Sequence, residues 1–190
     1  MVRLNKIYTR AGDAGETGLA DGSRIAKDHP RSQAVGDVDE ANSAIGLALR
    51  HIDDERARGM LGAIQNELFD LGADLATPGE DFTPTDMQLR IVQSQIDRLE
   101  LEIDRLNEGL EPLRSFILPG GSGGSAELHL ARAIVRRAER SAVAAARAVS
   151  LNPLALIYLN RLSDVLFVMA RYLALNVGGD VLWKPGATRG

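Results

Sequence analysis

The chain contains no cysteine. That excludes disulfide cross-links, a thiolate metal site and a cysteine nucleophile, and it suits a reducing, cytoplasmic compartment. Aromatic residues make up only 4% and the net charge is -4, so neither a stacking platform nor a broad basic surface is present for nucleic acid. No apolar run approaches the roughly 18 residues of a membrane span. The start Met1-Val2-Arg3-Leu4-Asn5-Lys6 also lacks the apolar centre of a signal peptide. Lysine is scarce: only Lys6, Lys27 and Lys184 stand among 22 basic residues, the others being arginine. That skew favours forked recognition of phosphate or carboxylate, although codon usage alone produces it too.

What is present suits one folded domain. With 45% hydrophobic and 25% charged residues over 190 positions, the chain can bury a core without staples. Apolar residues recur at alternating spacings of three and four, which keeps them on one helical face. The pattern predicts a first helix over about Asp37 to Arg50, with Val38, Ala41, Ile45 and Ala48 inward and Asp37 with Glu40 as a capping box. A second helix, near Asp53 to Ala76, carries Met60, Ile64, Leu68, Leu71 and Leu75 and stops at Thr77-Pro78-Gly79. A third is expected from Thr83-Pro84, carrying Leu89, Val92, Ile96, Leu99, Ile103 and Leu106. The fourth starts near Ser125 and turns Leu128, Ala131, Val135, Ala138, Ala142 and Ala145 inward; the fifth is capped by Asn152-Pro153 and runs to about Asn176.

Strands have little room, and five amphipathic helices with mostly short connections imply an all-α, five-helix antiparallel bundle. The expected organisation is a single domain: a glycine-rich polar segment over 1–36, the bundle over 37–176 and an irregular tail over 177–190.

Chemistry is expected at the edges of such a bundle. The run Tyr8-Thr9-Arg10-Ala11-Gly12-Asp13-Ala14-Gly15-Glu16-Thr17-Gly18 spaces three glycines by three residues. Glycine lets successive amides close on an anion, so the run reads either as a phosphate cradle or as a plain glycine-rich loop. It is neither a Walker A element nor the dinucleotide fingerprint. Arg24, Lys27 and Arg31 follow closely enough to meet a triphosphate if the segment folds back. On the fourth helix Arg132, Arg136 and Glu139 share one flank, with Arg140 nearby and Arg137 directed elsewhere. Asn160 and Asp164, four apart on the fifth helix, offer partners to that flank. His29, His51 and His129 are dispersed, no Glu-x-x-His pair occurs on the helices, and His129 reads as a packed or capping side chain.

Taken in order, these blocks resemble the PduO-type ATP:cob(I)alamin adenosyltransferases. The resemblance rests on Lys6-Ile7-Tyr8-Thr9-Arg10 with Gly12-Asp13 and Gly15; on Gly22-Ser23-Arg24 through Lys27 and Arg31; and on Gly36-Asp37-Val38-Asp39-Glu40-Ala41-Asn42-Ser43. It continues in Phe116-Ile117-Leu118-Pro119-Gly120-Gly121-Ser122, in Ala131-Arg132 with Arg136-Arg137-Ala138-Glu139-Arg140, and in Asn160-Arg161-Leu162-Ser163-Asp164. Val35 and Ala41 depart from the usual tyrosine and leucine, and the match fades after Tyr172.

The resemblance implies a homotrimer with nucleotide and corrinoid sites between subunits. It implies ATP bound by Thr9, Arg10, Gly12, Asp13, Gly15, Thr17, Lys27, Arg136, Glu139 and Asn160, with Mg²⁺ as a cofactor to which no residue is assigned. Cobalamin, held base-off and four-coordinate, is expected against Phe116 and an Asp39–Arg132 pair that crosses the subunit boundary, with Trp183 a further candidate to cover the corrin. Arg136, Phe116, Asp39 and Arg132 are the residues expected to carry catalysis. The implied reaction moves the 5′-deoxyadenosyl group of ATP to cob(I)alamin, with a reductase and an adenosylcobalamin-dependent mutase as partners. The alternative is an ATP-gated carrier of adenosylcobalamin.

Overall fold

The computed structural model describes residues 8–189 of the chain, so Lys6 and Ile7 of the first block lie outside the described residues. Two short strands, β1 (Glu16–Gly18) and β2 (Arg24–Ala26), precede five helices: α1 (Pro30–Ala48), α2 (Glu55–Leu75), α3 (Gln93–Asn107), α4 (Ser125–Ala148) and α5 (Pro153–Ala174).

Cross-helix contacts fix the helix directions. Asp37 accepts from Ser141 while Glu40 accepts from Arg137, so α1 and α4 are antiparallel. Asn42 meets Gln65 while Arg31 reaches Leu75, which sets α2 against α1. Glu102 faces Arg56 whereas the Ile91 N–H, just before α3, donates to Asp74, so α3 opposes α2. Asn160 pairs with Glu139, and Phe167 packs on His129 and Arg132, so α5 opposes α4. The bundle therefore alternates up, down, up, down, up.

Its core follows the three-and-four spacing. Ala34, Val38, Ala41, Ile45 and Ala48 of α1 meet Ala131, Val135, Ala138, Ala142 and Ala145 of α4, all essentially inaccessible, and the small side chains let the two backbones approach closely. α5 is long and apolar enough by composition to cross a membrane. It is instead the central core helix, with Tyr158, Leu162, Val165, Leu166 and Met169 fully buried.

Two boundaries and one element differ from the sequence expectation. α1 begins at Pro30, not Asp37; the His29 side chain accepts from the Arg31 N–H at 3.0 Å, and proline occupies the first turn where its missing N–H costs nothing. Asp37 is thus a mid-helix residue, and it caps no terminus. α3 begins at Gln93, where the Gln95 side chain accepts from the Val92 N–H at 3.0 Å. Thr83-Pro84 belongs to the preceding loop, and Leu89 is exposed. The N-terminal segment contains a β-hairpin that the polar sequence did not announce.

Buried arginines knit the lower end. Arg90 donates to the Asp74 carboxylate at 2.8 Å, and Asn152 donates to the same carboxylate at 2.7 Å. Arg31 donates to the carbonyls of Leu75, Thr77 and Ser150. At the upper end the backbone turns into α4 through Gly124 at φ +88, where an added Cβ would sit 2.2 Å from Ile52 Cγ1. Only glycine fits there.

Candidate active site

At the lower end, the β1–β2 hairpin brings its own ends together. Glu16 pairs with Ala26, Thr17 with Ile25 and Gly18 with Arg24, and the Lys27 N–H donates to the Gly15 carbonyl at 2.8 Å. This register folds Lys27 back over the glycine loop, where its ammonium would lie 3.1 Å from a Cβ built on Gly12. Gly15 adopts φ +83, and Arg10 is the sole non-glycine residue with positive φ among the described residues, at +62. Arg24 is a brace: it donates to Glu16 at 3.2 Å and to the Ala11 carbonyl at 2.6 Å. Arg31, expected beside the phosphates, is instead buried among the helix-end carbonyls described above. Of the three cations in this stretch, Lys27 lays its ammonium beside Gly12, Arg24 is tied to the Ala11 carbonyl and Glu16, and Arg31 turns away into the bundle. Thr9, Asp13 and Thr17 lie on the same loop and strand.

At the upper end, a cavity of about 660 Å³ opens between the loop before α4, the flank of α4 and the tail after α5. Its walls include Phe116, Ile117, His129, Arg132, Phe167 and Trp183. The Phe116 ring is 77% exposed. It lies near the Trp183 ring and projects into the opening, rather than anchoring the loop in the core. The Arg132 guanidinium lies over the Phe167 ring at 5.2 Å, an arrangement that attracts a cation to the ring face. Burial first, then the neighbouring Arg136 charge, lowers its pKa from the usual arginine value, with Asp164 opposing. Arg136 is exposed and its guanidinium has no ion-pair partner among the described residues. Two like charges one turn apart, one of them free, form a receptor for an anion.

Beside this row, Asn160 donates to Glu139 at 2.9 Å and accepts from Arg161 at 2.8 Å. The amide is thereby oriented, linking α4 to α5. Arg137 does turn away, pairing with Glu40 and Asp37 on α1. Asp39 is exposed on the other flank, where it helps line a groove of about 430 Å³ with Val35, Asn42, Leu68, Phe69 and Gly72.

Within one chain the parts do not converge. The hairpin precedes Pro30, at the level of the α4 end near Ala148. Arg136 stands twelve residues from that end, about 18 Å at the helical rise. Asp39 and Arg132 occupy different flanks and make no contact with each other.

His129 and Phe167 are wall residues that the sequence reading did not assign to the site. Phe167 was within reach of pattern reasoning, because it continues Asn160 and Asp164 at spacings of four and three. His129 is buried against Phe167, and burial, followed by the Arg132 charge, lowers its pKa below the ordinary histidine value. It therefore presents a neutral imidazole to the cavity near neutral pH. Among the described residues no group of three His, Asp or Glu side chains could hold a metal ion.

The bundle thus carries a cationic glycine loop at one end and an aromatic cavity walled by Arg132 at the other. A family model for cobalamin adenosyltransferases matches residues 7–173, and the chain belongs to that family. The corrinoid adenosyltransferase of Mycobacterium tuberculosis (strain H37Rv) is 55% identical over 99% of this chain and 97% of its own. The corrinoid adenosyltransferase PduO of Salmonella typhimurium is 46% identical over 87% of this chain but 48% of its own, longer chain. A solved variant of the PduO-type ATP:corrinoid adenosyltransferase from Lactobacillus reuteri, complexed with cobalamin and ATP, superposes with a TM-score of 0.87. It is 38% identical, covering 95% of this chain and 97% of that one.

Proposed function

We propose that this chain transfers the 5′-deoxyadenosyl group of ATP to cob(I)alamin, forming adenosylcobalamin and releasing triphosphate, and that each active site is completed between two protomers of a homotrimer. The adenosyl transfer accords with the family and with the cobalamin and ATP complexes of the Lactobacillus reuteri relative. The observation that carries the reading is the exposed Phe116 ring at an apolar cavity rimmed by Arg132.

Cobalt(I) is the nucleophile and attacks C5′ of ATP in line. The chain's task is to hold the two reactants in a near-attack arrangement, roughly 3–3.5 Å apart, so that the entropic barrier is met on binding. Lys27, over the glycine loop, and the unpaired Arg136 donate to the charge that gathers on the departing triphosphate. Glu139 and Asn160 orient the nucleotide from α4 and α5, and Thr9, Arg10, Gly12, Asp13, Gly15 and Thr17 wrap the phosphates. No side chain needs to act as a general base. Mg²⁺ would be held by the triphosphate oxygens and water and would neutralise phosphate charge.

Reaching cobalt(I) from cobalt(II) is easier when no axial donor feeds electron density to the metal. The Phe116 ring under the corrin excludes water and the cofactor's own base, and it offers no lone pair in their place. Trp183 covers the ring edge.

The trimer supplies what one chain lacks. A neighbour seated in the α1–α2 groove would bring its hairpin toward the arginine row and pair Asp39 with Arg132 across the boundary. The same reading gives the protein a cytoplasmic setting, a reductase upstream and an adenosylcobalamin-dependent mutase downstream.

The test is direct: incubate the protein with ATP, Mg²⁺ and chemically reduced cobalamin under dim light. A photolabile alkylcobalamin and free triphosphate are expected, and the absence of both would falsify the reading. Transfer of prebound adenosylcobalamin to an acceptor without turnover would make the chain a carrier instead.

A further inference from the structure

The backbone leaves α5 through Gly178 and Gly179, both at positive φ, and the Gly179 N–H donates back to the Ala174 carbonyl at 2.8 Å. This reversal lays the tail antiparallel along the loop before α4. Leu118 N–H donates to Val181 O at 2.8 Å, Trp183 N–H to Phe116 O at 2.7 Å, and Ser115 Oγ to Trp183 O at 2.8 Å. Most residues in this seam are exposed, so water competes for these three bonds and they are weak anchors by themselves.

One buried group ties the two segments together. The Arg171 guanidinium, in the last turn of α5, donates through Nε to Asp180 Oδ2 at 2.9 Å and through Nη2 to the Glu111 carbonyl at 2.8 Å. The Arg171 side chain is 8% exposed and that of Asp180 16%. The contact is shielded enough for a charge-assisted bond to keep its strength. Glu111 opens the loop that carries Phe116, and Asp180 opens the strap that carries Trp183. A single side chain thus sets the spacing of two cavity walls. The family match ends at residue 173, so Asp180 and the strap lie beyond it.

We propose that Arg171 and Asp180 form a latch that positions the 177–185 strap as a wall of the corrinoid cavity, making them positioning residues for cobalamin and not for ATP. The proposal rests on the adenosyltransferase reading for its substrate, but its structural half can be tested without substrate. Trp183 is the chain's single tryptophan, so its emission reports the strap alone.

The experiment compares wild type with Asp180→Ala and Asp180→Glu. Asp180→Ala leaves the buried Arg171 guanidinium without its carboxylate, so a lower melting temperature is expected, and both variants are compared well below their unfolding transitions. In ligand-free Asp180→Ala, Trp183 emission should shift to the red and acrylamide quenching should rise by about twofold as the ring gains water. In turnover, the KM for cobalamin should rise by about tenfold, the change expected from losing one charge-assisted bond, while the KM for ATP holds steady. Asp180→Glu should recover part of both effects. Unchanged quenching, or a parallel rise in both KM values, would overturn the latch. An inactive wild type with the expected fluorescence change would instead sink the transferase reading and leave the latch standing.

Discussion

The rings of Phe116 and Trp183 lie 5.9 Å apart at an interplanar angle of 59°, one from the loop before α4 and the other from the tail after α5. Both residues line the same cavity, and the two rings meet at a tilt rather than stacked face to face. An exposed aromatic ring costs hydration free energy unless something flat covers it, and in the proposed function the corrin macrocycle is that cover.

Phe116→Ala should therefore act on the redox step and only weakly on the displacement. Starting from preformed cob(I)alamin, the rate should stay within a few-fold of wild type; starting from cob(II)alamin with reductant, it should fall by about tenfold or more. Electron paramagnetic resonance of the bound cob(II)alamin checks the cause. Loss of the four-coordinate signal is expected, and its persistence would remove Phe116 from this role.

Shared sites predict complementation. Lys27→Ala and Arg136→Ala should each lower activity by about tenfold or more, as expected for a charge-assisted bond to phosphate. Co-refolded mixtures of the two should regain part of it, because some interfaces then pair two intact halves. Sedimentation should give three copies per particle. Mixtures no more active than either parent would place both residues in one chain's site.

Gly124→Ala is expected to destabilise the protein by about 1–3 kcal/mol. The new methyl must displace Ile52, and the backbone is held in the left-handed region. Chemical denaturation, compared with the tolerant Gly109→Ala, where a Cβ meets nothing, checks it.

His129 sets a pH dependence. Its folded pKa is lowered, chiefly by burial, from 6.5. Below that value the unfolded chain takes up a proton that the folded chain resists, so the unfolded state binds more protons and stability falls with acidification. Melting temperature should drop as pH decreases from about 7.5 to about 6, and His129→Gln should flatten that slope. An unaltered slope in the variant would assign the acid sensitivity elsewhere.

The bundle was legible because burial and helical period coincide in its sequence: Leu128, Ala131, Val135, Ala138 and Ala142 sit inside as their spacing requires. Failures came where polar groups do the burying. α1 extends back to Pro30 through Arg31, a buried cation whose partners are distant carbonyls, so its first turn shows no apolar stripe. The hairpin strands are three residues each, too short to display alternation, although Asp21-Gly22 marks their turn. Lys27 and the arginine row could be chosen from the sequence, but the diversion of Arg24 and Arg31 into bracing could not. It depends on carbonyls brought near by the fold. The tail's link to Arg171 is likewise a long-range pairing without local signature.

An odd number of alternating helices has a practical corollary for handling this protein. The described residues begin at Tyr8, beside the hairpin at the lower end, and finish at Arg189, beside the strap at the upper end, so the two lie at opposite poles of one protomer. A label on the hairpin and a label on the 177–185 strap are therefore far apart within one protomer, so any closeness between them in the assembled protein would report on neighbouring copies and not on the single chain.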